Sequence, residues 1–242
     1  MSAVGCTIRV GTSTWGIVSA IRACELSAEE PLERWRVEAS ATGRAHAELV
    51  GVYRGEPGEP TPVEIDLTWH SQGDPYHYGV SPRYEISAHV TGTIRVGDEV
   101  IEVDAPGQRD HSWAVRDWWA FRWCWSSGAL DDGSRFHLSD IRIPKMPMGF
   151  GYRIDPGGDQ TFASHITATE ALDAEGFPTT GRLELEPGGP VVDVEPLAFS
   201  PLLFVADDGR VSRFPRALCR YTTPDGRSGT GWTEWNQPQE KP

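Results

Sequence analysis

The feature that most constrains this chain is the period of its apolar residues, which is two. Between Tyr84 and Val96, Tyr84, Ile86, Ala88, Val90, Ile94 and Val96 share one parity, and Glu85, Ser87, His89, Thr91, Thr93 and Arg95 share the other. Successive side chains of an extended chain point to opposite faces, so this pattern builds one apolar and one polar face, that of a half-buried antiparallel strand. Gly97-Asp98 follows as a two-residue hairpin turn, and the return strand Glu99–Asp104 brings Ile101 opposite Ile94. The same pattern predicts strands at Thr7–Val10, Ile17–Cys24, Arg34–Thr42, Ala45–Tyr53, Val63–His70, Asp117–Trp125, Phe136–Ile143 and Gly149–Ile154. Thr161–Thr169, Arg182–Glu186, Val191–Val194, Arg210–Thr222 and Ser228–Trp235 complete the set. The 26 glycines and 19 prolines cluster in the turns between them, and Ser27–Glu33 is the only helix-like stretch. The expected fold is all-β and antiparallel, a barrel or sandwich. A seam at Ala105-Pro106-Gly107 divides it into an N-terminal β domain, 1–105, and a C-terminal one, 106–242.

Charge and composition narrow the partners. A formal net charge of -13 disfavours a nucleic-acid or anionic-membrane surface. No apolar run approaches the ~20 residues of a membrane helix. Met1-Ser2-Ala3-Val4-Gly5 has no basic segment leading into an apolar stretch, so a cytoplasmic protein is expected. Cys6, Cys24, Cys124 and Cys219 form no C-x-x-C pair and match no zinc spacing, which makes free thiols the expectation.

Chemistry concentrates in one segment. Five of the 10 tryptophans, Trp113, Trp118, Trp119, Trp123 and Trp125, fall within 13 residues. Alternation from Asp117 puts Trp119, Phe121, Trp123 and Trp125 on one wall. If Asp132-Gly133 form a two-residue turn, Trp125 pairs with Asp140 and Trp123 with Arg142, placing Asp140 on that wall between Leu138 and Arg142. A bulge at Gly128 would slip the register by one and turn Asp140 away. On the wall, burial would raise the Asp140 carboxyl and make it a usable general acid, while the rings shelter a carbocation. The other reading pairs Asp140 with Arg142 or Arg122. His137-x-x-Asp140 straddles two strand faces and is not a metal pair. No nucleophile elbow, phosphate loop or dinucleotide fingerprint is present. The loop Asp74-Pro75-Tyr76-His77-Tyr78 and the pair Met146 and Met148 could line a cavity mouth or simply fill space.

The run Arg109-Asp110-His111-Ser112-Trp113-Ala114, with Gly231-Trp232-Thr233-Glu234-Trp235-Asn236 near the C-terminus, resembles the carotenoid-hydratase-like and AttH-like family. That resemblance covers residues 84–236 and implies lipocalin-like (calycin) barrels packed in tandem, the first of them partial in a chain of this length. It implies catalytic roles for His111, Trp113 and Asp140. Two departures stand out: Ala114 where the family has Gly, and Leu138 where the hydratases have Tyr. The expected function is a cofactor-independent enzyme that protonates an alkene of a terpenoid or polyene with Asp140. Trp119, Phe121, Trp123, Trp125, Leu138 and Arg142 then line the substrate, and water or ring closure quenches the cation. Arg109, Asp110 and Asp117 are expected to be structural, and a homodimer would cover open strand edges. The alternatives are a lipocalin-type binding protein and a pericyclase that only orients its substrate.

Overall fold

A computed structural model describes residues 9–10, 13–113 and 117–239, with side chains from Glu25 onward. The expected strand at Thr7–Val10, the thiols of Cys6 and Cys24, and motif residue Ala114 therefore lie wholly or partly outside the described residues. The architecture is all-β and antiparallel, as the alternation predicts. No helix among the described residues is long and apolar enough to cross a membrane.

The first sheet comprises β1 (Arg9–Val10), β2 (Ser13–Glu30), β3 (Arg34–Ala45), β4 (Glu59–Ser71), β5 (Tyr76–His77), β6 (Arg83–Val96) and β7 (Glu99–Ser112). Its order is β1-β2-β3-β4-β6-β5, with β7 on β6. Ile94 pairs with Ile101 across the Gly97-Asp98 turn, where Gly97 takes a φ of +58°. The apolar parities of β4 and β6 make one face, where Val63, Ile65, Leu67, Val90 and Val96 are buried. Gly92 is required there: its φ is +134°, and a Cβ would stand 2.1 Å from the Asp66 carbonyl oxygen of β4. The predicted helix-like stretch is the end of β2 and its turn. The one short helix among the described residues, α1 (Val50–Tyr53), falls where a strand was expected, because the chain must turn between β3 and β4. The expected seam at 105 lies inside β7, and the change of sheet comes between Ser112 and Arg122.

The second sheet comprises β8 (Arg122–Leu130), β9 (Arg135–Arg142), β10 (Met148–Ile154), β11 (Gln160–Ala163), β12 (His165–Leu172), β13 (Pro178–Glu186) and β14 (Val191–Phe199). β15 (Leu202–Val205), β16 (Val211–Phe214), β17 (Arg216–Thr222) and β18 (Ser228–Pro238) follow. The order β11-β10-β9-β8-β18-β17-β14-β13-β12 curls into a nearly closed barrel around Phe136, Leu138, Leu183, Val192 and Tyr221. The thiols Cys124 and Cys219 are free and buried in that core.

The β8–β9 hairpin corrects the expected register. Leu130 and Ser134 bracket a three-residue loop whose last residue, Gly133, takes a φ of +87°. The longer loop shifts the pairing by one: Trp125 faces Ser139, Trp123 faces Ile141, and Asp140 faces Cys124. Asp140 and Arg142 accordingly point into the barrel, where they join its two ends. Arg142 Nε donates to Asp140 Oδ2 at 3.0 Å, and Arg142 Nη2 donates to the Ala168 carbonyl at 2.7 Å. Glu170 accepts from both Arg142 Nη1 and Nη2, at 2.6 and 2.7 Å. The Ala168 N–H donates back to Asp140 Oδ2 at 3.3 Å. Side chains of β9 thus do between β9 and β12 what a backbone ladder does elsewhere.

Replacing Arg142 with Met should therefore lower the unfolding free energy by about 3 kcal/mol, because Asp140 loses its counter-charge and Glu170 keeps only Arg122, at 3.6 Å. Denaturant titration of wild type and variant measures this, and equal midpoints would mean that the ion pairs do not hold the barrel closed.

Candidate functional site

The polar parity of β6, assigned to solvent by alternation alone, is the face on which the second sheet lies. Glu85 is fully buried there, and Ser87 nearly so. Burying a carboxylate is costly unless its lone pairs are satisfied, and donors surround this one. Arg83 donates from Nε at 2.9 Å and from Nη2 at 2.5 Å, and Trp125 Nε1 donates at 2.9 Å, all to Oε1. Gln108 Nε2 donates to Oε2 at 3.0 Å. Arg83 also pairs with Asp110 at 2.7 Å. Complete burial pushes the Glu85 carboxyl above the ordinary carboxylate range, and Arg83, Trp125 and Gln108 only partly offset it.

His137 stands beside it, its Nε2 3.9 Å from Glu85 Oε1. Its Nδ1–H donates to the Ser126 carbonyl at 3.1 Å, which leaves Nε2 to accept the Tyr78 hydroxyl proton at 2.7 Å. The Ser139 hydroxyl then donates to the Tyr78 oxygen at 2.8 Å. Burial, with Arg83 nearby, holds His137 well below its usual range and so neutral. Burial also raises the Tyr78 phenol. Glu85, His137, Tyr78 and Ser139 thus make a polar seam from the heart of the interface to its edge, hydrogen-bonded from His137 outward and spanning 3.9 Å between Glu85 and His137.

That edge is the floor of a groove of about 350 Å³. Its sides are Trp118, Phe121, Trp123, Ile141, Ile143 and Met148, and its polar lining includes Tyr78, Arg83, Asp117 and Ser139. Val80 at the lip is 62% exposed and Phe121 40% exposed, so the entrance is apolar as well. Such a shape takes an apolar body and presents one point of it to hydroxyl groups.

The expected site residues divide among four places: the groove, a spot beside Phe204 and Arg210, the barrel interior and the far face of β6–β7. Phe121 and Trp123 line the groove, and Trp125 binds Glu85 behind it. Trp119 does not reach the groove: its Nε1 donates to the Phe204 carbonyl at 3.3 Å, and Arg210 lies 5.3 Å from its ring centre. Trp118 takes its place, because Asp117 accepts the Trp119 N–H at 3.0 Å, breaks the extended run and delays β8 to Arg122. Asp117 is held in turn by both Arg210 bonds, each 3.0 Å.

Asp140, Leu138 and Arg142 lie on the inner face of the barrel, away from the groove. His111 and Trp113 belong to neither place. They stand on the opposite face of β6–β7 from Glu85, where His111 stacks on Tyr84 at 5.1 Å and meets Trp113 edge-on at 5.3 Å. Arg109 lies 3.8 Å over the Trp35 ring and donates to the Tyr84 hydroxyl at 2.5 Å. Asp110, with the opposite parity, joins Arg83. The structure places His111 and Asp140 apart, one on the far face of β6–β7 and the other on the inner face of the barrel. Sequence reasoning passed over Glu85, Arg83 and Gln108, and weighed His137 only as a metal ligand and Ser139 only as a nucleophile; the signal they carried was polar parity, which does not report that a second sheet covers Glu85 and Ser87.

The family described as a domain of unknown function (DUF7064) matches residues 12–239. A search of curated proteins by sequence finds no match. Among solved structures the chain is similar to an AttH protein of Nitrosomonas europaea, with a TM-score of 0.53, 17% identity, and coverage of 83% of this chain and 67% of that one. It is also similar to kievitone hydratase of Nectria haematococca, with a TM-score of 0.55, 11% identity, and coverage of 90% and 69%. These likenesses establish the shared fold.

The raised Glu85 carboxyl has a consequence for stability. It holds its proton more tightly folded than unfolded, so its contribution is fully present below the unfolded value and is lost as pH rises through the folded one. Melting temperatures of wild type and Glu85→Gln across the range from about pH 4 to pH 8 should shift in the variant's favour with rising pH. A gap that stays constant would contradict the raised carboxyl.

Proposed function

The chain belongs to the family described as a domain of unknown function (DUF7064), and from that premise we propose that it is a hydratase-type enzyme acting on an apolar, unsaturated molecule in the aromatic groove. The observation that carries this reading is the junction of two unlike things: a groove walled by Trp118, Phe121 and Trp123, and a buried titratable seam that ends on its floor at Tyr78 and Ser139. An isoprenoid or polyene fits the wall, and its double bond lies over the hydroxyl groups.

In the acid step the Tyr78 hydroxyl turns its one proton from His137 Nε2 to an alkene carbon, and the neighbouring carbon becomes cationic. Protonated Glu85 restores the Tyr78 proton through His137. The rings stabilise the cation by ~0.5–2 kcal/mol each, and each ~1.4 kcal/mol is a factor of ten in rate. A water held by Ser139 adds to the cation and gives up a proton, which returns along the same seam to Glu85. Atoms and charge balance without a cofactor. Capture by a second alkene instead of water would give a cyclised isomer, with the proton lost from carbon returning by the same route. The raised Glu85 carboxyl supports this assignment, because it keeps a proton available at a pH where an ordinary carboxylate has lost it. Two folds sharing this architecture, one of them a named hydratase, are compatible with it and do not identify the substrate.

The test incubates the protein with linear terpenoids and polyenes in D2O and reads products by mass spectrometry. Carbon-bound deuterium together with the mass of added D2O is expected. Product formation should fall at least ~100-fold in both Glu85→Gln and Tyr78→Phe, the scale of a lost general acid. Full activity in Glu85→Gln would remove the acid from the account. Tryptophan quenching by a ligand with no deuterium incorporated would favour a lipocalin-type binder or a pericyclase.

A further inference from the structure

A second groove, also about 350 Å³, opens on the other side of the Glu85 cluster. Trp125, Leu218 and Trp232 form its apolar sides, with the buried Phe136 beneath them, and Gln108 and Arg135 are the polar groups that matter in it. It shares no lining residue with the first groove. Trp125 and Gln108, which cap the Glu85 carboxylate, are the partition between the two.

Arg135 is the unusual member. It is half-buried, and burial lowers its pKa, the direction expected of a cation without a counter-charge. Its Nη1 donates to the Ser87 hydroxyl at 3.1 Å and to the Ala88 carbonyl at 2.8 Å, both neutral acceptors. Among the described residues no carboxylate comes within ion-pair distance of it. Arg83 and Arg142, the other arginines central to this interface and barrel, are each paired with two carboxylates. The Nη1 bonds anchor the guanidinium to the first sheet and leave its Nε–Nη2 edge without a protein acceptor. That edge carries two parallel N–H groups, the spacing that a carboxylate accepts as a pair.

We propose that this second groove binds an apolar monocarboxylate, its two oxygens on the free edge of Arg135 and its hydrophobic body between Trp125, Leu218 and Trp232. The site is independent of the reaction assigned to the first groove. A chain with so strong a negative charge repels anions at long range, so the pocket selects its ligand by contact: one guanidinium edge for the carboxylate, and aromatic walls for the rest. Planar and unsaturated acids fit these walls better than short, hydrated ones, because stacking and burial of apolar area supply the affinity.

Isothermal titration of the full chain with 2-naphthoate and with its neutral isostere 2-naphthamide tests this directly. Binding of naphthoate at least tenfold tighter than the amide is expected, weakening with added salt. In Arg135→Gln, which keeps a donor for Ser87 and Ala88, naphthoate should bind no better than the amide while amide binding is unchanged. Arg135→Lys should recover only part of the preference, because an ammonium cannot offer the paired edge. Equal affinity for acid and amide in the wild-type protein would overturn the proposal, and needs no variant to read. So would a preference for the acid that survives in Arg135→Gln, or no binding of either compound. Failure of the deuterium experiment leaves this result untouched, since it concerns the other groove.

Discussion

A carboxylate buried where two sheets meet cannot be left alone. Taking Glu85 out of water costs several kcal/mol unless donors replace the solvent, and the chain provides them from three elements: Arg83 on its own strand, Gln108 on β7 and Trp125 on β8. Two of these donors are held in turn, Arg83 by Asp110 and Gln108 by the Tyr152 hydroxyl. The demand of one side chain therefore fixes the angle and spacing at which β6–β7 can lie on β8–β10. The two grooves are what remains on either side of that contact. The seam that runs from Glu85 through His137 to Tyr78 makes the first groove more than an apolar slot.

The β8–β9 hairpin serves both neighbours because its two faces do different work. Its inner parity, Cys124, Leu138, Asp140 and Arg142, builds the barrel and ties it to β12. Its outer parity, Trp123, Trp125, His137 and Ser139, meets the first sheet and forms the groove. One three-residue loop decides which residue does which. An acid on the inner face can hold a barrel together, while an acid facing the interface can keep a proton for use.

Much of the fold was legible because period-two alternation and hairpin turns are local. The Tyr84–Val96 strand, its Gly97-Asp98 turn and the Ile94–Ile101 pair follow from spacing alone. The concentration of tryptophan drew attention to a segment whose Phe121 and Trp123 line the first groove and whose Trp125 binds Glu85. The remainder depended on facts that no local pattern carries. Loop length at Asp131–Gly133 set the register, and a shift of one residue moved Asp140 from the aromatic wall to the barrel interior. An Asp117 turn exchanged Trp119 for Trp118. Glu85 looked like one polar residue among several on a solvated face, because alternation reports which face is polar and cannot report that a second sheet covers it.

The central claim is that Glu85 is a buried carboxyl whose environment keeps its proton above the ordinary range. Carbon-13 NMR of protein labelled at the glutamate side-chain carboxyls, titrated beside Glu85→Gln, observes that group itself. The account predicts one resonance that titrates at higher pH than the exposed glutamates and is missing from the variant. A Glu85 resonance that titrates with the exposed glutamates, or below them, would mean that Arg83 holds a permanent carboxylate there, and the seam would then be a structural ion pair with no proton to give.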